Sequence, residues 1–233
     1  MPDHDQIYQS EAERYDKLVS FEDVNHNLLH TIKRIVPALT ESAVLDIGAG
    51  TGRLTTMLAP IAASITATDA SGAMLEVASS KLSSLGLSNW KTAVARHDEL
   101  PLGNSSVDLV TAGWTICYAT SCNVEGWRSN LSVIMDEIRR VMKPGGTCII
   151  FENFGTGSSV PNPPDFLTAY YAALENEYGF EHEAIRTDYH FETVEDAVSI
   201  TNFFFGDWLS TQVQASNSPV VEEWAGVWWK RFD

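Results

Sequence analysis

The sequence predicts an α/β fold, a doubly wound and mostly parallel sheet flanked by helices, on three observations. From residue 40 to residue 151, short apolar runs alternate with stretches of helical periodicity, a pattern that pairs strands in parallel through crossover helices. The run Gly48-Ala49-Gly50-Thr51-Gly52 stands between one such strand and a helix, where backbone can turn tightly and approach a ligand without a Cβ in the way. At 233 residues the chain suits one core, or one core with a cover, because single hydrophobic cores stop growing not far above this length.

In chain order, residues 5–19 and 23–36 read as amphipathic helices, the second with Val24, Leu28, Leu29, Ile32, Ile35 and Val36 on one side before Pro37. Residues 44–47 predict a buried strand, 51–59 a helix, 64–68 a strand, and 71–85 a helix whose first turn Ser71 can cap. A third strand passes through Val94, a fourth spans 107–111, a helix spans 134–142 and a fifth strand spans 147–151. Beyond Glu152 the Gly, Ser and Pro of residues 155–164 predict an exposed loop. A helix at 166–178, a strand at 185–191, a helix opened by Thr193 and a last strand at 224–229 follow. The chain thus divides into an N-terminal helical cap (1–39), a ligand-binding core (40–151) and a C-terminal cover carrying the last two strands (152–233), within one compact domain.

With 15 basic and 31 acidic residues the formal charge is −16. Phosphate neutralisation needs clustered Lys and Arg, so nucleic acid is excluded as a partner and an anionic membrane surface is disfavoured. The charge is uneven: 7 acids to 2 bases in residues 1–30, 10 to 10 in 31–150, and 14 to 3 in 151–233. The last 83 residues also hold 17 of the 24 aromatic side chains. Cys117, Cys122 and Cys148 are an odd count without a visible leader, which favours free thiols and a cytoplasmic protein. Cys117 and Cys122 have no second Cys or His pair at ligand spacing, so no metal site is expected.

The strongest chemical signal joins the glycine run to two acids. Asp46 precedes Gly48 by two residues, and Asp69 ends the next strand 21 residues after Gly48, where such folds hold the ribose hydroxyls of a nucleoside cofactor. A dinucleotide fingerprint spaces its glycines G-x-G-x-x-G, whereas here the third comes one residue early. Asp46 would also repel a pyrophosphate but tolerate a ligand with a cationic amino group.

Val44-Leu45-Asp46-Ile47-Gly48-Ala49-Gly50-Thr51-Gly52 resembles the first motif of the class I S-adenosylmethionine-dependent methyltransferases. Thr68-Asp69 with Ala70, Ser71 and Met74 resembles their second, Leu100-Pro101 with Ser106-Val107-Asp108-Leu109-Val110 the run into their fourth strand, and Met142-Lys143-Pro144-Gly145-Gly146 the turn before their fifth. The resemblance extends over residues 40–151. It implies a Rossmann-like, seven-stranded sheet with an antiparallel C-terminal strand and S-adenosyl-L-methionine as cofactor. Asp46 and Gly48, Ala49, Gly50, Thr51 and Gly52 would meet its methionine part, Asp69 would bridge both ribose hydroxyls, and Ala70 and Met74 would lie near the adenine. Where many relatives place an acid on the adenine amino group this chain has Arg96, which leaves the contact to Asp98 or to the main chain at His97. Gly113 and Trp114 follow the fourth strand, where relatives touch both cofactor and substrate. Tyr8, Tyr15, Trp114 and Tyr118 are the substrate-binding candidates.

Asn162-Pro163-Pro164-Asp165 is similar to the signature of nucleic-acid amino methyltransferases, but it follows the fifth strand instead of the fourth and Asp165 replaces the aromatic residue. Two prolines in a loop account for it. His182, His190 and Tyr118 are the candidates for taking a proton from an acceptor. The expected function is methyl transfer to a small-molecule acceptor by in-line displacement, achieved mainly through proximity and orientation. A non-catalytic S-adenosylmethionine-binding or regulatory protein and an NAD-type oxidoreductase are the other classes open to this sequence, and the sequence does not fix the oligomeric state.

Overall fold

Strand alternation decides which side chains reach which helical layer. Val44, Leu109 and Ile149 join one buried cluster with Leu28, Ile32 and Leu58, while their neighbours Leu45, Val110 and Ile150 join another with Ile134, Ile138 and Tyr170. Helices therefore cover both faces of the sheet. The computed structural model describes residues 3–233, so residues 1 and 2 of the expected cap lie outside it.

The elements are α1 (His4–Ser10), α2 (Ala12–Ser20), α3 (Asn27–Ile35), β1 (Ala43–Ile47), α4 (Arg53–Leu58), β2 (Ser64–Asp69), α5 (Gly72–Ser84), β3 (Trp90–Val94), β4 (Val107–Gly113), α6 (Cys117–Thr120), α7 (Trp127–Val141) and β5 (Met142–Thr156). After them come α8 (Asp165–Asn176), β6 (Glu181–Arg186), β7 (Tyr189–His190), α9 (Val194–Phe205), α10 (Asp207–Ser216), β8 (Val220–Val221) and β9 (Glu223–Arg231). Seven strands form one sheet in the order β3-β2-β1-β4-β5-β9-β6, with β9 antiparallel to both of its neighbours. This is the mostly parallel, doubly wound architecture the sequence predicts. The order reverses between β1 and β4, and a crevice opens at the carboxyl ends of strands at such a point.

Tertiary contacts move several boundaries. The helix expected over 5–19 is two helices broken at Glu11, because α1 is drawn across α5 where the Ser71 hydroxyl donates to the Tyr8 carbonyl at 2.8 Å. The helix expected from 23 starts at Asn27. Asp23, in a left-handed turn at φ 59°, accepts from the Asn27 and Leu28 amides at 2.8 and 3.0 Å and so fixes the start of α3. The strand expected over 185–191 is divided: Arg186 ends β6, and β7 pairs with β8 in a separate two-stranded sheet. Asp188 makes the turn between them by binding the Arg186 guanidinium at 2.8 Å and the Glu223 amide at 2.9 Å.

The C-terminal cover has a small core of its own, in which Leu18 of α2 packs with Tyr189, Phe191, Ala197, Leu209, Val213 and Val221. The cap and the cover thereby share apolar contacts on one side of the crevice. No helix among the described residues is long and apolar enough to cross a membrane.

Candidate functional site

A cavity of about 220 Å³ lies at the carboxyl ends of β1, β2 and β4, and residues 48–51 line it. Gly48 (φ 59°) and Gly50 (φ 56°) carry left-handed backbone that suits glycine. At Gly48 the constraint is double, because a Cβ there would fall 1.9 Å from the Thr115 hydroxyl oxygen. Asp69 braces the loop from the next strand. One of its carboxylate oxygens accepts from the Gly50 amide at 2.9 Å and the other from the Ser71 amide at 2.8 Å.

Asp46 is 1% exposed and its carboxylate accepts from the Thr55 and Thr111 hydroxyls at 2.5 and 2.9 Å. Burial pushes it up to about 6 against the pull of those hydroxyls. Asp46 therefore ties β1 to α4 and β4 at the cavity floor. Trp114 adopts φ 51° while its amide donates to the Phe151 carbonyl at 2.7 Å, a backbone state that costs roughly 1–3 kcal/mol and persists only where the surroundings enforce it.

Of the residues singled out in the sequence, Asp46, Gly48, Ala49, Gly50, Thr51, Asp69, Ala70, Met74, His97, Gly113, Trp114, Tyr8, Tyr15 and Tyr118 all line this cavity. Four others lie elsewhere. Gly52 starts α4 at φ 83° and packs toward Ala78, so it serves the close approach of α4 to α5. Asp98 is exposed and holds the Arg96 guanidinium through both oxygens at 2.9 Å, which leaves His97 as the cavity-lining residue of that turn. His182 stacks on Trp228 with centroids 4.5 Å apart, behind the sheet edge, and His190 is exposed on β7. Neither histidine is on the cavity wall, which removes both as proton acceptors there. Tyr118 is on the wall, but its phenol is raised above its ordinary value by desolvation and by the Cys117 thiol, which makes it a poor base.

The structure also brings in residues that motif reading missed. Thr115 fills the space beside Gly48, and its hydroxyl lies 2.9 Å from the His97 Nε2, an imidazole that burial holds below its usual value. Arg53 lines the cavity, pairs through Nη1 with Glu22 at 2.9 Å and lies 4.2 Å over the Trp114 ring. Glu22 comes from the turn before α3, so no sequence spacing announces the pair. The Arg53 Nε and Nη2 and the Thr51 hydroxyl are buried on this wall with no partner among the described residues. Buried donors without partners cost about 1–3 kcal/mol each, and a ligand carboxylate is the chemistry that would satisfy them. The remaining lone pairs of Asp69, in turn, suit hydroxyl donors. The wall therefore fits a ligand with a carboxylate at one end and a diol further along, as S-adenosylmethionine has.

Comparison with known proteins gives the same direction. Residues 45–150 match the family model described as a methyltransferase domain. The chain is 30% identical over 148 residues to a demethylmenaquinone methyltransferase of Clavibacter sepedonicus, spanning 63% of this chain and 56% of that protein. It is 29% identical over 177 residues to a malonyl-[acyl-carrier protein] O-methyltransferase of a Marinomonas species, spanning 74% of this chain and 58% of that one. The chain thus spans little more than half the length of these relatives. Among solved structures, an S-adenosylmethionine-dependent methyltransferase of Aquifex aeolicus superposes with a TM-score of 0.59 over 94% of this chain and 96% of its own, at 17% identity. A structure described as a putative type II methyltransferase from Anaeromyxobacter dehalogenans gives 0.61 over 88% and 94%, at 16% identity.

Proposed function

We propose that the protein, whose residues 45–150 match a methyltransferase domain and whose fold is that of a solved S-adenosylmethionine-dependent methyltransferase, binds S-adenosyl-L-methionine in the crevice at β1, β2 and β4 and transfers its methyl group to a small molecule. The observation that carries this reading is the braced loop: Gly48 and Gly50 in left-handed backbone, Asp69 holding the Gly50 amide, and partnerless donors on Thr51 and Arg53 beside them. Asp69 would receive the ribose hydroxyls, Thr51 and Arg53 the carboxylate, and Ala70, Met74 and His97 would bound the adenine. The cofactor supplies an activated methyl group on a cationic sulfur.

The protein's own work is then positional. Residues 48–51 would fix the donor end, and the rings of Tyr8, Tyr15 and Tyr118 line the same cavity toward its mouth. Holding donor and acceptor in line is worth up to roughly 7–11 kcal/mol in favourable intramolecular models. Residues 40–151 would form the cofactor half, with 1–39 and 152–233 folding over it as the acceptor's cover. The common apolar cluster of Leu18 with the last helices supports that division. Free thiols at Cys117, Cys122 and Cys148 suit a cytoplasmic setting.

The test is transfer of label. The chain incubated with methyl-labelled S-adenosylmethionine and a fractionated small-metabolite extract should pass label to a low-molecular-mass product. Tight cofactor binding without transfer to any fraction would favour the non-catalytic, regulatory reading.

A further inference from the structure

Rings from three separate segments meet at the mouth of the cavity. Tyr8 of α1 stands edge to face with Tyr15 of α2 (centroids 5.3 Å apart, 87°) and with Tyr118 of α6 (5.9 Å, 87°). The Tyr8 and Tyr118 hydroxyls are 2.6 Å apart, which ties the cap to the turn after β4. Phe204 of α9 adds a ring from the cover, 5.4 Å from Tyr15 and stacked on His4 at 4.3 Å. All three tyrosines line the cavity, and Tyr118, 47% exposed, marks its opening.

Acids outnumber bases behind these rings. Tyr15 has the carboxylates of Glu22, Asp69 and Asp16 near it together with the Arg53 guanidinium, and the carboxyl group of Glu152 lies near Tyr118. Arg53 is the one Lys or Arg on the cavity wall among the described residues, and it is already engaged by Glu22 and by the Trp114 face. An anionic acceptor, such as a phenolate or an enolate, would find carboxylates and ring faces there, the free Nε and Nη2 of Arg53 being taken up by the cofactor carboxylate in the proposed complex. A compact cation finds what it needs, because aromatic faces and nearby carboxylates attract positive charge together.

We propose that Tyr8, Tyr15 and Tyr118 form an aromatic cage for the nitrogen of the methyl acceptor, so that the acceptor is a small amine and the product its more highly methylated ammonium. This rests on the reading of the chain as a methyltransferase. The amine enters as its free base, its proton having passed to bulk water at the half-exposed mouth. Its lone pair forms the nitrogen–carbon bond while the carbon–sulfur bond breaks and leaves its electron pair on sulfur. Positive charge moves from sulfur to nitrogen in that step, and the cage stabilises it where it arrives.

Calorimetry on the full chain saturated with S-adenosylhomocysteine tests this, with tetramethylammonium chloride as the product-like probe and tert-butanol as its neutral counterpart. Tetramethylammonium should bind at least tenfold more tightly than tert-butanol. Tyr118→Leu and Tyr15→Leu should each weaken it tenfold or more, while Tyr118→Phe and Tyr15→Phe, which keep the ring, should stay within threefold of wild type. Equal binding of the two probes would overturn the proposal, as would equal losses in the Leu and Phe variants. If Tyr15→Leu lowers affinity for S-adenosylmethionine relative to S-adenosylhomocysteine and leaves tetramethylammonium binding unchanged, the rings serve the sulfonium alone and the amine assignment is wrong. Binding of S-adenosylhomocysteine is read separately. Its presence without tetramethylammonium binding rejects only the cage, whereas its absence rejects the methyltransferase reading and the cage with it.

Discussion

The carboxylates that line the crevice and the buried carboxylates behind it are held on different principles. On the loop wall, the carboxylates of Asp46 and Asp69 have both oxygens engaged by neighbours close at hand, Thr55 and Thr111 for one, Gly50 and Ser71 for the other. Off the cavity wall, in the cap and the cover, buried carboxylates are left half-satisfied: Glu22 Oε1, Glu152 Oε2 and Glu223 Oε2 have no partner among the described residues. Satisfied polar groups rigidify a site, and unsatisfied ones hold free energy that a ligand or a proton can release. The carboxylate frame of the loop is thus preorganised, with the Thr51 and Arg53 donors left over for a ligand, while the half-satisfied carboxylates off the wall are where charge state is still adjustable.

The largest effect should come from breaking the rigid wall. Gly48→Ala forces a Cβ into Thr115 and strains a left-handed residue, which should cost about 4 kcal/mol of stability. It should also abolish measurable binding of S-adenosylhomocysteine, as read by chemical denaturation and by calorimetry. Next is Glu22→Gln, which strips a buried guanidinium of its ion partner and should cost about 3 kcal/mol. Arg53→Met, which leaves the buried Glu22 carboxylate without its ion partner, should cost a similar amount of stability but more cofactor affinity, and denaturant midpoints beside binding isotherms separate the two.

Glu152 tests the adjustable side with the opposite sign. Burial pushes it up to about 7 and Asp46 to about 6. Both groups hold protons in the folded state that the unfolded chain has already released, so their contribution to stability is greatest at low pH and is lost as pH rises from about 4 to about 7. Glu152→Gln keeps an acceptor oxygen for the Cys117 amide and the Tyr170 hydroxyl and removes the charge. It should match wild type near pH 5 and exceed it by about 1–3 kcal/mol at pH 8 in urea titrations. A destabilised variant at pH 8 would mean the carboxylate is needed charged. The smallest effect should be that of His190→Ala, on exposed β7, with methyl transfer unchanged and stability within about 0.5 kcal/mol.

The same contrast explains what could be read in the sequence. Asp46, Gly48, Gly50 and Asp69 belong to one strand-loop-helix-strand unit, so local spacing reveals their common purpose. Ser71 caps α5 as its residue type predicts, accepting from the Met74 amide. Thr115, Arg53 and Glu22 act through contacts that no spacing encodes: Thr115 matters because Gly48 leaves room for it, and Glu22 because the Asp23 turn carries it to Arg53. The histidines show the converse. His182 and His190 have the residue type for proton transfer but sit on β6 and β7, where one packs on Trp228 and the other faces solvent. The aromatic crowding near the C-terminus was visible in composition, yet it supplies the cavity mouth with Phe204 alone, while Tyr8, Tyr15 and Tyr118 come from the other two thirds of the chain.

The measurement closest to the central claim is titration calorimetry with S-adenosylhomocysteine on wild type and on Asp69→Asn, in which one carboxylate oxygen becomes an amide that cannot accept from the Gly50 or Ser71 N–H. Wild type should bind at one site per chain, and Asp69→Asn with an affinity at least tenfold lower, a loss of about 1–3 kcal/mol. No heat of binding in wild type, or equal affinity in the two proteins, would contradict that claim.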